Sequence, residues 1–174
     1  MIADINPGST GSYPVFLTEF DGQLFFNADD GVNGDELWVS DGTAAGTQLV
    51  ADINPGSGDS NPGIFTEFDD KLFFGADDGV NGDELWVSDG TAAGTQLLAD
   101  INPGSANSDP TDFTAAGGKL FFIAEDGTNG RELWVSDGTA AGTQLLADIN
   151  TGSSTSKLSR DQGVDGTLFF VADD

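Results

Sequence analysis

The sequence predicts an all-β protein, a β-propeller-type array of four-stranded antiparallel blades whose ring is incomplete in one chain. A stretch from Gln23 to Ile53 recurs almost unchanged at Lys71 to Ile101 and again at Lys119 to Ile149. One Trp in each copy marks a repeat of 48 residues. Repeats of about 40–50 residues with four strands each are typical of propeller blades. A β-sandwich built by duplication is the alternative architecture.

Four short apolar segments in the first unit predict its strands: Val15–Phe20, Gln23–Ala28, Glu36–Ser40 and Thr47–Ile53. Their Phe, Val, Trp and Thr content favours strands, and none is long enough for a helix. Short turns between them predict an antiparallel meander. Because the second and third segments are apolar on both faces, neighbouring units must cover both faces of each sheet.

The chain from 1 to 174 is therefore predicted to be a single repeat array. Residues 1–5 correspond to the end of a preceding unit, and complete units span about 6–53, 54–101 and 102–149. Residues 150–174 form a partial unit. We expect other copies of the chain, or further repeats of a parent chain, to supply the remaining blades.

The composition excludes several functional classes. Thirty Asp and Glu against five Lys and Arg give a net charge of −25, which repels nucleic acid and anionic membranes. The chain has no Cys and no His, so disulfides, thiol or imidazole catalysis and His/Cys zinc sites are excluded. No apolar run reaches the length of a membrane span, so membrane insertion is not expected.

Three copies of one motif carry a family resemblance. ELWVSDGTAAGT occupies Glu36–Thr47, Glu84–Thr95 and Glu132–Thr143. It resembles the signature of the ELWxxDGTxxGT repeat family of large bacterial surface and secreted proteins. The resemblance implies a propeller-like β repeat, an extracellular or cell-surface location and no established reaction. A signal for export is not present in this chain.

The connections of a four-stranded meander alternate between its two ends, which predicts where the loops lie. The acidic loop Asp29–Asp35 and the linker 54–62 should emerge together, opposite the other two turns. The linker differs between units while the framework repeats nearly letter for letter, and rigid scaffolds often carry binding on such loops. Tyr13, Asn61 and Asp109 are therefore the candidate ligand-binding residues, for a glycan or protein ligand. The alternative is that an exposed linker varies without a role.

The acidic loop also predicts a cation site, with calcium as the cofactor and no other cofactor indicated. Oxygen-bearing side chains alternate along it, and glycines let the chain curl around an ion. The alternative is that these residues form Asx turns on a solvated face. The candidate ligands in the three units are Asp30, Asn33, Glu36, Asp78, Asn81, Glu84, Asp126, Asn129 and Glu132.

The function that these patterns favour is a non-enzymatic extracellular scaffold for binding or adhesion. It presents acidic and variable loops on one face and has no catalytic residues. Repeated loops should give equivalent carboxylates similar surroundings, whereas an acid–base pair needs distinct ones. A carbohydrate-binding or carbohydrate-processing propeller module is the alternative, although we expect Trp38, Trp86 and Trp134 to pack between blades rather than to stack on sugars.

Overall fold

The computed structural model describes residues 2–149, 151–152 and 159–172. These residues form fourteen strands and no helix, and consequently no helix that could cross a membrane. Sheet 1 contains β1 (Val15–Phe20), β2 (Gln23–Asp29), β3 (Asp35–Ser40) and β4 (Gln48–Ala51). Sheet 2 contains β5 (Gly63–Phe68), β6 (Lys71–Asp77), β7 (Asp83–Ser88) and β8 (Gln96–Ala99). Sheet 3 contains β9 (Thr111–Ala116), β10 (Lys119–Glu125), β11 (Arg131–Ser136) and β12 (Gln144–Ala147), and sheet 4 contains β13 (Ser159–Val164) and β14 (Thr167–Val171).

In every sheet the strands lie in chain order and each pairs antiparallel with the next. The predictions of an all-β chain and of four-stranded antiparallel meanders are confirmed. The predicted fourth segment was too long, because β4 ends at Ala51 and the amide of Ile53 donates to a side chain instead of to a neighbouring strand.

The core lies between consecutive sheets. We call the face of a sheet that contacts the preceding sheet its front face, and the opposite face its back face. Between sheets 1 and 2, the back-face residues Phe20, Phe25, Leu37, Val39 and Val50 pack with the front-face residues Phe65, Leu72, Phe74, Ala76 and Trp86. The equivalent residues of sheets 2 and 3 form a second cluster. Neighbouring units therefore bury apolar faces that a single sheet would expose to water.

The tryptophans belong to these interfaces. Trp86 packs against the back face of sheet 1, and Trp134 packs against that of sheet 2. Trp38, Trp86 and Trp134 are only 8–9% exposed. The prediction that they pack between units is confirmed for the second and third units, and buried rings are not available for stacking on sugars.

We use the name inner side for the side of the array on which the first strands of successive sheets contact one another. Strand β1 contacts β5, β5 contacts β9, and β9 contacts β13. The pairing register of each first strand shifts near its start. There, Phe16, Ile64 and Asp112 have φ values of 55°, 55° and 54°. This left-handed backbone conformation is strained for a β-branched residue such as Ile64. It changes the direction in which the side chains at these positions leave the strand.

The two ends of the sheets carry different connections, as the meander predicts. At one end, the acidic loop between β2 and β3 contacts the linker of the next unit: the amide of Asp35 donates to Oδ1 of Asp59, 3.0 Å away. We call this the linker end. At the opposite end, which we call the turn end, β3 and β4 are joined by residues 41–47. The predicted pairing of acidic loop and linker is confirmed.

Candidate ligand-binding site

A buried glutamate fastens each unit to the next at the linker end. Glu36 lies near the start of β3 and is fully buried. Its carboxylate accepts hydrogen bonds from the amides of Ile53 and Asn54, at 2.8 and 3.2 Å, and from the hydroxyl of Ser60 at 2.6 Å. Because the donors belong to the end of one unit and the linker of the next, the side chain holds the unit boundary in place.

The same arrangement recurs along the chain. Glu84 accepts from the amides of Ile101 and Asn102, at 2.7 and 3.2 Å. Glu132 accepts from the amide of Ile149 at 2.9 Å. The glutamate of the ELW motif is thus a structural residue in each of the three units, and its role was missed when the acidic loop was considered as a cation site.

Burial changes the acidity of these glutamates. Loss of solvent raises the pKa of Glu36 to about 7, against the opposing hydrogen bonds from Ser60, Ile53 and Asn54. Burial likewise raises the pKa of Glu84. Glu36 and Glu84 therefore titrate nearer to neutral pH than free glutamate does.

Asp30 and Asn33, the other predicted cation ligands of the first unit, hydrogen-bond to each other. Oδ1 of Asp30 accepts from the amides of Val32 and Asn33, and Oδ2 accepts from Nδ2 of Asn33 at 2.7 Å. Burial acts to raise the pKa of Asp30, but these hydrogen bonds outweigh it and lower that pKa. Both oxygens of Asp30 thus meet donors within an Asx turn.

The second and third units repeat this loop geometry. Asp78 accepts from Asn81, and Asp126 from Asn129, with the same side-chain distance of 2.7 Å. Within the ranges that the structure describes, no three Asp or Glu side chains gather into a group suited to a metal ion. The loops hold Asp and Asn together, while Glu36 and its equivalents bind the linker. The calcium site stays a prediction.

A cavity of about 200 Å³ lies on the inner side, where the first strands of sheets 1, 2 and 3 come together. Gly75 in β6 leaves room for it: a Cβ atom at this position would lie 2.8 Å from Oδ1 of Asp83 and 3.3 Å from the Pro110 ring. The cavity is lined by Phe16, Asn61, Gly63, Ile64, Gly75, Asp83, Asp109, Pro110 and Thr111.

The residues that line this cavity vary between the units. Every lining residue except Pro110 occupies a repeat position whose residue is not the same in all three units. Position 75, for example, is Gly in the second unit, while its equivalents are Asn27 and Ile123. The framework motifs, in contrast, are unchanged. Five of the six repeat positions that line the cavity thus differ between near-identical units, and other differences lie in the linker, in the first strand and in the turn that follows it.

Asp83 gives the cavity its electrostatic character. Its Oδ1 atom is buried and has no hydrogen-bond partner within the part of the chain that the structure describes. Burial raises the pKa of Asp83 to about 7, with further contributions from the negative charges of Asp109, Glu84 and Asp77, while Arg131 opposes the shift. Burial also raises the pKa of its equivalent Asp35, but Asp83 alone of the two faces the cavity.

Arg131 is the residue equivalent to Asp83 in the third unit, and its side chain hydrogen-bonds to groups other than Asp83. Its guanidinium group donates to the carbonyl of Asp109 at 3.1 Å and to Oγ1 of Thr111 at 2.7 Å. These contacts place its positive charge at the edge of β9 without an ion pair to Asp83 within the described residues. The cavity therefore has a carboxyl group whose charge no neighbouring cation neutralises by direct contact.

The structure brings two of the three predicted ligand-binding residues together. Asn61 and Asp109 line the cavity, whereas Tyr13 does not and is 71% exposed. Gly75 and Asp83 were not among the predicted residues, although both line the cavity and Asp83 carries a buried carboxyl group. A position-by-position comparison of the units, extended from the linker into the strands, would have indicated both.

No protein-family model matches the chain, and no curated protein matches it. Among solved structures, the chain is similar to a crystal structure of the computationally designed Ika8 protein, with 21% sequence identity and a TM-score of 0.46. The match covers 96% of this chain and 48% of that one, so this chain spans about half the length of the designed protein. The resemblance to the ELWxxDGTxxGT family stays a prediction.

Proposed function

We propose that this chain is a non-enzymatic binding scaffold of an extracellular or cell-surface protein, in which the sheets are blades of a β-propeller-type array. The ligand binds at the cavity on the inner side. The observation that carries this proposal is that five of the six repeat positions lining that cavity differ between units. Units that fold alike need identical frameworks, whereas a ligand-specific site needs side chains that break the repeat.

The ligand that fits this cavity best is a cationic group on a short apolar stem, such as the ammonium end of a lysine side chain. Asp83 supplies a buried carboxyl oxygen to which no described residue donates a hydrogen bond, and Asp109 supplies a second acidic group. Phe16, Ile64 and Pro110 supply apolar walls. A cation relieves the repulsion between the two acidic side chains, and the net charge of −25 attracts it.

The test is a nuclear magnetic resonance titration with butylammonium chloride, and with butanol as the uncharged probe of similar shape. We expect butylammonium to shift the amide signals of the residues that line the cavity, and butanol to shift them much less. Because an acidic protein also attracts cations nonspecifically, the titration is repeated at high salt, where diffuse attraction is screened. Equal shifts for both probes, or shifts spread evenly over the acidic loops, would contradict the proposal.

Two variants sharpen this test. Gly75→Asn fills the cavity with the side chain that the first unit carries at the equivalent position, and Asp83→Asn removes the charge. Both should abolish the shifts caused by butylammonium. Asn27→Gly is the matched control, since it makes the reverse change in the first unit and should leave the shifts intact.

A carbohydrate-processing module is the second candidate, and Asp83 is the observation that favours it. An acid with a pKa of about 7 beside another carboxyl group is an arrangement used by glycosidases. The surroundings of equivalent carboxylates also differ more than the repeats suggest. Hydrolysis of a glycoside that is lost in Asp83→Asn would support this candidate, while binding without turnover would support the scaffold.

A further inference from the structure

The front face of sheet 1 is covered less completely than the equivalent faces of sheets 2 and 3. Phe26, Ala28 and Trp38 are buried and pack with Ile5, but other residues of this face are exposed. Leu17 is 58% exposed, whereas Phe65, at the same position of the second unit, is 9% exposed. Leu24 is partly exposed, whereas Leu72 and Leu120 are fully buried. The difference has a simple cause, because sheets 2 and 3 each pack against a preceding sheet.

The exposed part of this face forms a groove with a volume of about 370 Å³. Leu17, Leu24 and Phe26 of sheet 1 form one part of it, and Ile2 and Ile5 from the preceding segment form another. The groove is mainly apolar, so water contacts a surface that is buried at the two internal interfaces. Covering it would be favourable by the hydrophobic effect.

Sheet 4 exposes the complementary surface at the other end of the array. Val164 and Phe169 occupy the back-face positions held by Phe20 and Phe25 in the first unit. They are 48% and 57% exposed, whereas Phe20 and Phe25 are 5% and 1% exposed. Sheet 4 contains two strands and thus offers two of the five apolar back-face positions of sheet 1, and both are accessible.

We propose that the front face of sheet 1 binds the back face of sheet 4 from a second copy of this chain, in the arrangement in which sheet 2 contacts sheet 1. The two internal interfaces show that a front face of this kind packs against the back face of the preceding sheet. Such a head-to-tail contact uses two different surfaces, so it continues into closed rings or open chains of copies. It does not involve the cavity on the inner side and goes beyond the proposed binding function.

Electrostatics gives this association a recognisable salt dependence. Each copy has a net charge of −25, so two copies repel each other at low ionic strength. The contact surfaces are apolar, and salt screens the repulsion without weakening their burial. We therefore expect association to become stronger as sodium chloride is added, which is the opposite of the behaviour of an interface held by ion pairs.

The test measures mass in solution by sedimentation velocity, from low to high micromolar protein and at two salt concentrations. The wild-type chain should at least double in average mass over this range, and more so at high salt. Leu17→Asp on the front face and Phe169→Asp on the back face should each prevent association. Both side chains are already exposed, so neither change should unfold the protein, which circular dichroism would verify. Val32→Asp, in an exposed loop away from both faces, is the matched control and should associate like the wild type.

Mixing the two deficient variants distinguishes head-to-tail contact from any symmetric contact. Leu17→Asp retains an intact back face, and Phe169→Asp retains an intact front face. Their mixture should form one-to-one dimers and nothing larger. A wild-type chain that stays monomeric at every concentration and salt would overturn the proposal, and so would a mixture that stays monomeric while the wild type associates.

Discussion

The turn between β3 and β4 and the inner cavity differ in how strictly the units repeat. In this turn, residues 41–47 and their equivalents, the three units have the same residues and the same hydrogen bonds: the hydroxyls of Ser40 and Thr47 share a hydrogen bond, and Asp41 accepts from the amide and hydroxyl of Thr43. Around the cavity, the residues change from unit to unit. Strict repetition in the β3–β4 turn marks positions set by folding, whereas the positions around the cavity are free to vary and are available for a ligand.

The largest expected effect comes from the framework glutamate. Glu84→Ala removes the acceptor for the amides of Ile101 and Asn102 and for the side chain of Ser108. Because buried donors lose their partner, we expect a loss of about 3 kcal/mol in the free energy of unfolding, measured by chemical denaturation. Glu67→Ala, at an exposed position of the same sheet, is the control and should change little. Equal losses in the two variants would show that the buried carboxylate is not a framework element.

The next effect is the dependence of stability on pH. Glu36 and Asp83 have a pKa of about 7 when folded, against 4.5 and 3.8 for the free groups. The folded state therefore binds more protons than the unfolded state between these values, so stability falls as pH rises through this window. From about pH 5.5 to about pH 8 each group alone corresponds to a loss of roughly 2 kcal/mol, about 4 kcal/mol for the two, and screening by solvent reduces the expected total to about 2 kcal/mol. Thermal or chemical denaturation at each pH measures this loss.

Asp83→Asn separates the two regions in that experiment. It removes the contribution of the cavity and leaves that of the framework glutamates, so the slope of stability against pH should become shallower without vanishing. A slope unchanged by the substitution would show that Asp83 titrates normally. Stability that increases from pH 5.5 to pH 8 would contradict the raised pKa of both groups.

A smaller effect is expected at the turn end. Gly94 lies against the carboxylate of Asp89, and a Cβ atom there would collide with it. Gly94→Ala therefore displaces Asp89 from its hydrogen bonds to Thr91, and we expect a loss of about 1 kcal/mol in the free energy of unfolding. Ala92→Ser in the same exposed turn should be neutral. A loss in the serine variant as large as that in Gly94→Ala would argue against the steric explanation.

Calcium is expected to have the smallest effect. The predicted site implies a melting temperature higher in calcium than in magnesium or chelator, because an ion that binds only the folded state stabilises it. The hydrogen bonds between Asp30 and Asn33 limit the gain, since an ion must displace them. We expect a shift of about 2–4 °C, which corresponds to roughly 1 kcal/mol for a chain of this size. Identical melting in calcium and chelator would remove the calcium site.

The sequence predicted the framework well because its signals are local. Strand β1 spans Val15–Phe20 as its apolar segment predicts, and the alternating connections place Asp35 beside Asp59. The role of Glu36 was not predictable in this way, because sequence spacing does not reveal whether a carboxylate faces an ion or a backbone amide. The cavity was missed since it depends on an absent side chain at Gly75 and on residues from three sheets.

The hydrogen bonds of the buried glutamates across the unit boundaries limit how such a chain can change in length. Glu36 and its donors Ile53, Asn54 and Ser60 span a unit boundary, and Glu84 repeats the same bonds one period later. Excision or insertion of a whole 48-residue segment by recombination would rejoin an equivalent acceptor to equivalent donors, with no bond left broken at the junction. A segment whose length is not a multiple of 48 residues would leave a buried carboxylate without its donors. The array can therefore lengthen or shorten only by whole units.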